Sequence, residues 1–145
     1  MDGVTTLAPQ QLDLFNQPTL GTIVRDIKAA MNQAVKDSGK SREQVLDLLN
    51  AMAARYGMRL NGKGGLSKDT FEKWLNIEDG DRMPSIKGIT IFCAVLGTLK
   101  PMETMVKLLG GQIIEGKDVS LLRWSKRYHQ AKDLRKQMRE LESEL

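Results

Sequence analysis

Few side chains in this sequence are equipped for covalent or acid–base chemistry. Cys93 is the one cysteine and His129 the one histidine. These counts argue against an intramolecular disulfide, zinc fingers, Cys–His dyads, Ser–His–Asp triads and multi-histidine metal sites. The densest carboxylate group, Glu78, Asp79 and Asp81, lacks the partner base or ligand set that acid–base or metal chemistry requires. No enzymatic activity and no cofactor is expected. What remains is recognition. Arg59, Asn61 and Lys63 stand among Gly57, Gly62, Gly64 and Gly65, and glycine lets backbone amides approach an anion such as a phosphate closely. Asn61 to Gly65 is not a Walker loop, because the spacing, the Lys-Ser/Thr ending and a preceding strand are missing. A plain surface loop is the other reading of that segment.

Charge supports a polyanionic partner without demanding one. The 145 residues hold 22 Lys and Arg against 18 Asp and Glu, a net charge of +4, and the pI is near 9.3. Residues 1–20 carry two acids and no base. Lys117 to Arg139 is strongly basic, and Glu140, Glu142 and Glu144 make an acidic tip. No apolar run approaches the roughly 18 residues of a membrane span, and the first 20 residues lack the bases of a signal peptide. The expected location is the cytoplasm, with no membrane partner.

The elements that must position these residues are helical. Residues 1–20, with two prolines and no period, read as a flexible tail. Ile23, Ile27, Ala30, Met31, Ala34 and Val35 set a first helix that Gly39 stops. Ser41 and Gln44 form a capping box for a second helix, whose expected inner face is Val45, Leu48, Leu49, Met52 and Tyr56. Ser67 caps a third helix with Phe71, Trp74 and Leu75 inward, and Met58 to Leu60 is the one candidate strand stub. Ile86, Ile89, Cys93 and Leu96 define a fourth helix. Pro101 opens a fifth, expected to bury Met102, Met105, Val106 and Leu109. Residues 111–117 read as a linker and 118–145 as one long helix. The expected fold is all-α, five short helices and a long one.

From about residue 21 to 110 the chain resembles the lambda-repressor-like (XRE-type) helix-turn-helix domain. The resemblance lies in Gly39 to Leu46, in Leu66 to Trp74 and in Pro84-Ser85-Ile86 followed by Ile89 and Leu96-Gly97. It implies a DNA-binding domain and a transcriptional regulator of phage or bacterial type acting on double-stranded DNA. Arg42 then stands where the family contacts phosphate or base, beside a helix N-terminus. Ser67, Lys68, Asp69, Thr70 and Lys73 take the exposed positions of its recognition helix. Lys68 is placed to reach guanine O6 or N7, and Ser67 and Thr70 phosphate or base edges. The chain departs from the family in two ways. A Gly-rich loop replaces the tight turn between the second and third helices, and Ser67 to Arg82 carries a net charge of −2. The second departure favours an alternative, a protein-interaction adaptor.

Gln11-Leu12-Asp13-Leu14-Phe15 looks like the pentapeptide that docks polymerases and repair proteins on the bacterial DNA polymerase sliding clamp. Leu12, Leu14 and Phe15 would fill apolar pockets and Gln11 would make polar contacts, while Pro9 and Pro18 keep the segment out of helix. Folding back on its own domain is the competing reading. In the last helix Trp124, Tyr128, Ala131, Leu134, Met138, Leu141 and Leu145 recur at steps of three and four. From Ala131 onward this is an a/d seam about two heptads long. It serves either a homodimer or packing on the helix's own domain through Leu121, Leu122, Trp124 and Tyr128.

Overall fold

A computed structural model describes residues 20–62 and 64–145. Among them are six helices and no strand, as the periodicity predicts. We number them α1 (Ile23–Ser38), α2 (Arg42–Arg55), α3 (Lys68–Leu75), α4 (Ile86–Leu96), α5 (Lys100–Leu108) and α6 (Lys117–Ser143).

Their ends are written in local chemistry. Gly39 takes φ 71° after α1 and returns its N–H to the Lys36 carbonyl at 3.2 Å, a left-handed cap that costs glycine nothing. The capping box forms: Ser41 Oγ accepts from the Gln44 N–H at 3.1 Å, and Gln44 Oε1 accepts from the Ser41 N–H at 2.8 Å. Ser67 and Ser85 cap α3 and α4 in the same sense, accepting from the N–H groups of Thr70 and Gly88. Each such cap contributes about 1 kcal/mol.

The core is continuous across α1 to α4. Met31, Val45, Leu49 and Phe92 are wholly buried, and Phe71 meets Trp74 edge-to-face with ring centroids 6.4 Å apart. Full burial of one such side chain stabilises by about 1.5–3 kcal/mol. α1 packs along α5 and against α3, and α2 packs against α4. Gly88 lets α4 approach, since a Cβ there would stand 2.7 Å from Trp74 Cη2.

Several expected inner positions are outside. Ile86 is 85% exposed, Leu109 82% and Tyr56 64%. Each sits at an end of its helix, Ile86 at the first residue and the other two at C-caps, beyond the packed middle. Leu48 is also exposed, because the buried stripe of α2 runs through Val45, Leu46, Leu49 and Ala53 and leaves Leu48 at its margin. In α5 only Pro101 is buried; Met102, Met105 and Val106 are half-buried. Met58 to Leu60 forms no strand; an isolated bridge between Asn61 and Gly64 stands nearby.

The chain divides after Gly111 into two compact units. The first contains α1 to α5. The second, Gln112–Leu145, contains α6, whose 27 residues extend about 40 Å. None of its side chains is buried.

Candidate nucleic-acid interface

The residues expected to meet DNA gather where the start of α2 lies beside α3, and ion pairs bring them there. Arg42 Nη1 pairs with Glu72 Oε2, and Arg42 Nη2 donates to Asn32 Oδ1 at 3.0 Å. Lys68 Nζ pairs with Glu43 Oε1 at 3.2 Å. Lys73 Nζ pairs with Asp69 Oδ2 one turn earlier, at 2.8 Å, and this hydrogen bond holds the Asp69 carboxyl below its usual range. Ser67 Oγ donates to Thr70 Oγ1 at 3.0 Å while accepting from the Thr70 N–H. Arg42, Ser67, Lys68, Asp69, Thr70 and Lys73 therefore form one polar surface, each already satisfied within the chain. Exposed pairs of this kind are worth about 0–1 kcal/mol, so an incoming phosphate could displace them at small cost. An open groove of about 560 Å³ runs between Lys36, Arg42 and Asn32 on one side and Asp69, Lys73 and Asn76 on the other.

Beneath this surface α1 grips the far end of α3. Lys28 is fully buried. Its ammonium donates to the carbonyls of Lys73 at 2.9 Å, Asn76 at 3.1 Å and Asp79. Asn32 Nδ2 donates to the Leu75 carbonyl at 2.7 Å. These carbonyls lie at the C-terminus of α3 and in the turn after it, where those of Lys73 and Asn76 also accept the N–H groups of Asn76 and Asp79 at 3.3 and 3.1 Å. Burial lowers the pKa of Lys28, and the charges of Asp79 and Asp81 act against that shift. α3 is thus capped at its start by Ser67 and at its end by side chains from another helix.

Arg59 and Asn61 lie on the connection between α2 and α3, both exposed; Lys63 lies outside the described residues. Asn50 ties this connection down. Its Oδ1 accepts from the Leu66 N–H at 2.6 Å and its Nδ2 donates to the Leu66 carbonyl at 3.0 Å. The acidic residues after α3 serve the turn. Asp79 Oδ1 accepts from the N–H groups of Asp81 and Arg82 at 3.0 and 3.1 Å, and Glu78 pairs with Arg25 at 3.8 Å. Cys93 is buried, which raises its thiol pKa and suppresses the reactive thiolate. Phe71 and Trp74 belong to the core and present no ring to a base.

Lys28, Asn32 and Asn50 were not among the residues that sequence reasoning singled out. A signal existed for Lys28, which stands three residues before Met31 and seven before Val35 in the apolar stripe of α1. Nothing local announced Arg42 with Glu72, thirty residues apart.

On α6, Trp124 and Tyr128 stack with centroids 5.3 Å apart and 19° between planes, and His129 meets Tyr128 edge-on. Leu121, Leu122, Trp124, Tyr128, Leu134, Met138, Leu141 and Leu145 are all exposed, and Ala131 is half-buried. The peptide Gln11, Leu12, Leu14 and Phe15 lies outside the described residues. No helix among the described residues is long and apolar enough to cross a membrane. The chain matches no protein-family model, and no curated protein or solved structure is significantly similar to it.

Proposed function

We propose that this chain binds double-stranded DNA through the α2–α3 pair, as a transcriptional regulator of phage or bacterial type. The observation that carries the reading is the way α3 is held. Its inner side is core, its start is capped by Ser67, and its end is gripped by Lys28 and Asn32. A short helix fixed at both ends keeps its polar side in one orientation, which reading base edges in a groove requires. Arg42, Lys68 and Thr70 would position and read the duplex, Arg59 and Lys63 would hold its backbone, and a homodimer through the α6 seam would set half-site spacing.

One observation favours a second reading. Arg42, Lys68 and Lys73 each face an acid, a balance that suits docking of a protein. On that reading the chain is a non-enzymatic adaptor, tethered to the sliding clamp through Gln11 to Phe15.

Fluorescence anisotropy of mixed genomic-fragment duplexes, at about 50 and about 200 mM salt, separates the two. DNA binding gives a linear fall of log affinity with log salt. Binding no tighter than micromolar at the lower salt rejects the DNA reading, and a pull-down with the sliding clamp then tests the adaptor.

A further inference from the structure

Ion pairing among the described bases is confined to one part of the chain. All five ion pairs among the described residues belong to α1–α5 and the loop that follows α3. On α6, eight bases lie between Lys117 and Arg139 against two acids, Asp118 and Asp133, and none of the eight is in an ion pair. Their spacing is ordered. Lys132, Arg135, Lys136 and Arg139 stand at i, i+3, i+4 and i+7 and share one helix face. The apolar seam runs at Leu134, Met138, Leu141 and Leu145, a separate stripe.

This face works against the helix that carries it. Lys132 with Lys136, Arg135 with Arg139, Lys132 with Arg135, and Lys136 with Arg139 are all like-charge neighbours, a spacing that destabilises a helix. Asp133, Glu140 and Glu142 are within a turn of Lys136 or Arg139, yet no pair forms. α3 solves the same problem differently, giving Lys73 an acid at i−4. A face of four unpaired bases along about 10 Å of helix is complementary to a duplex, which presents one negative charge per about 1.7 Å of axis.

We infer that the Lys132–Arg139 face of α6 is a site for the phosphate backbone of a nucleic-acid duplex and carries most of the salt-dependent affinity. The inference rests on the DNA reading proposed above and moves its electrostatic part from α2–α3 to α6. α3 is left to read bases, and α6 supplies a sequence-independent hold.

The test uses the full chain and a scrambled-sequence duplex of about 30 base pairs, titrated across salt by anisotropy. Replacing the four bases together (K132Q, R135Q, K136Q, R139Q) should make the log–log salt slope shallower by about 3 to 4, since each phosphate neutralised contributes about 0.9. Glutamine is a good helix former, so circular dichroism should show α6 retained. The charge-preserving set (K132R, R135K, K136R, R139K) should bind as the parent does. An unchanged slope in the glutamine variant, with affinity lost instead in Arg42→Gln plus Lys68→Gln, overturns the inference and leaves the DNA reading standing. A parent that binds no duplex at low salt overturns both. Capture by vesicles of anionic lipid at least as tight as by duplex overturns it in favour of a membrane surface.

Discussion

Lys28 and Lys73 meet through a hydrogen bond that brings an ammonium to a helix end: the wholly buried Nζ of Lys28 donates to the Lys73 carbonyl at 2.9 Å. The end of a helix carries about half a negative charge, so the cation adds a charged donor to a carbonyl that otherwise has only the Asn76 N–H. Lys28→Met keeps the aliphatic length but leaves the carbonyls of Lys73, Asn76 and Asp79 without this donor. The carbonyls of Lys73 and Asn76 keep the backbone N–H groups of Asn76 and Asp79. Losing a donor to a buried acceptor costs about 1–3 kcal/mol, and a loss in that range is expected in urea unfolding. A loss under about 0.5 kcal/mol, within the range of ordinary surface substitutions, would show that water replaces the ammonium there.

Asp79 gives the same region a dependence on acid. Its carboxylate accepts from the N–H groups of Asp81 and Arg82, which hold its pKa below the usual 3.8. The folded state therefore takes up this proton at lower pH than the unfolded chain does. The stabilisation is complete above about pH 5 and is lost as pH falls through the lowered folded value. Asp79→Asn keeps an acceptor oxygen without the charge. Its deficit relative to the parent should be present at neutral pH and should shrink below the carboxylate range; a deficit that stays constant into acid would assign the effect to shape alone.

Asn50 and Leu66 exchange two hydrogen bonds, side chain to backbone, and so pin the Gly-rich connection immediately before the Ser67 cap. Leu66 is 3% exposed, so its N–H and carbonyl have little access to water. Asn50→Ala should cost about 1–3 kcal/mol. It should also speed hydrogen exchange at Leu66 and cleavage within residues 57–65, while the α1–α5 contact is unaffected. Asn50→Asp restores only the acceptor and should recover part of the loss.

On the dimer reading, Leu134 and Met138 are seam positions, and both are more than half exposed in the single chain. Leu134→Gln with Met138→Gln should abolish any concentration-dependent rise in mass in sedimentation equilibrium without altering the net charge. A parent that sediments as a monomer up to about 100 µM would remove the seam as an interface, as its length of about two heptads allows.

Helix positions were legible because their ends obey local rules. Ser41 with Gln44, Ser67, Gly39 and Pro101 act through contacts a few residues apart, and a linear reading sees them. Inner faces were legible only where a helix is packed along its middle. Ile86 and Leu109 fit the period and still point outward, since periodicity cannot say where the neighbouring element stops. The candidate site was legible as a set of positions but not as an electrostatic object. Lys68 and Arg42 read as free bases in the sequence, whereas in the fold Glu43 and Glu72 occupy them, and only long-range packing creates those pairs. Lys28 is the converse case. A lysine in an apolar stripe reads as an interruption, and the fold uses it as a clasp.

α6 has a thermal consequence. Unfolding raises heat capacity chiefly by wetting apolar surface, and a helix with no buried side chain has little left to wet. Its 27 residues exceed the roughly 12–15 that an isolated helix needs to persist in water, so it should unwind from its ends over a broad range of temperature. Calorimetry should register one cooperative peak sized for five helices rather than six, while the circular dichroism of the full chain slopes continuously beneath it.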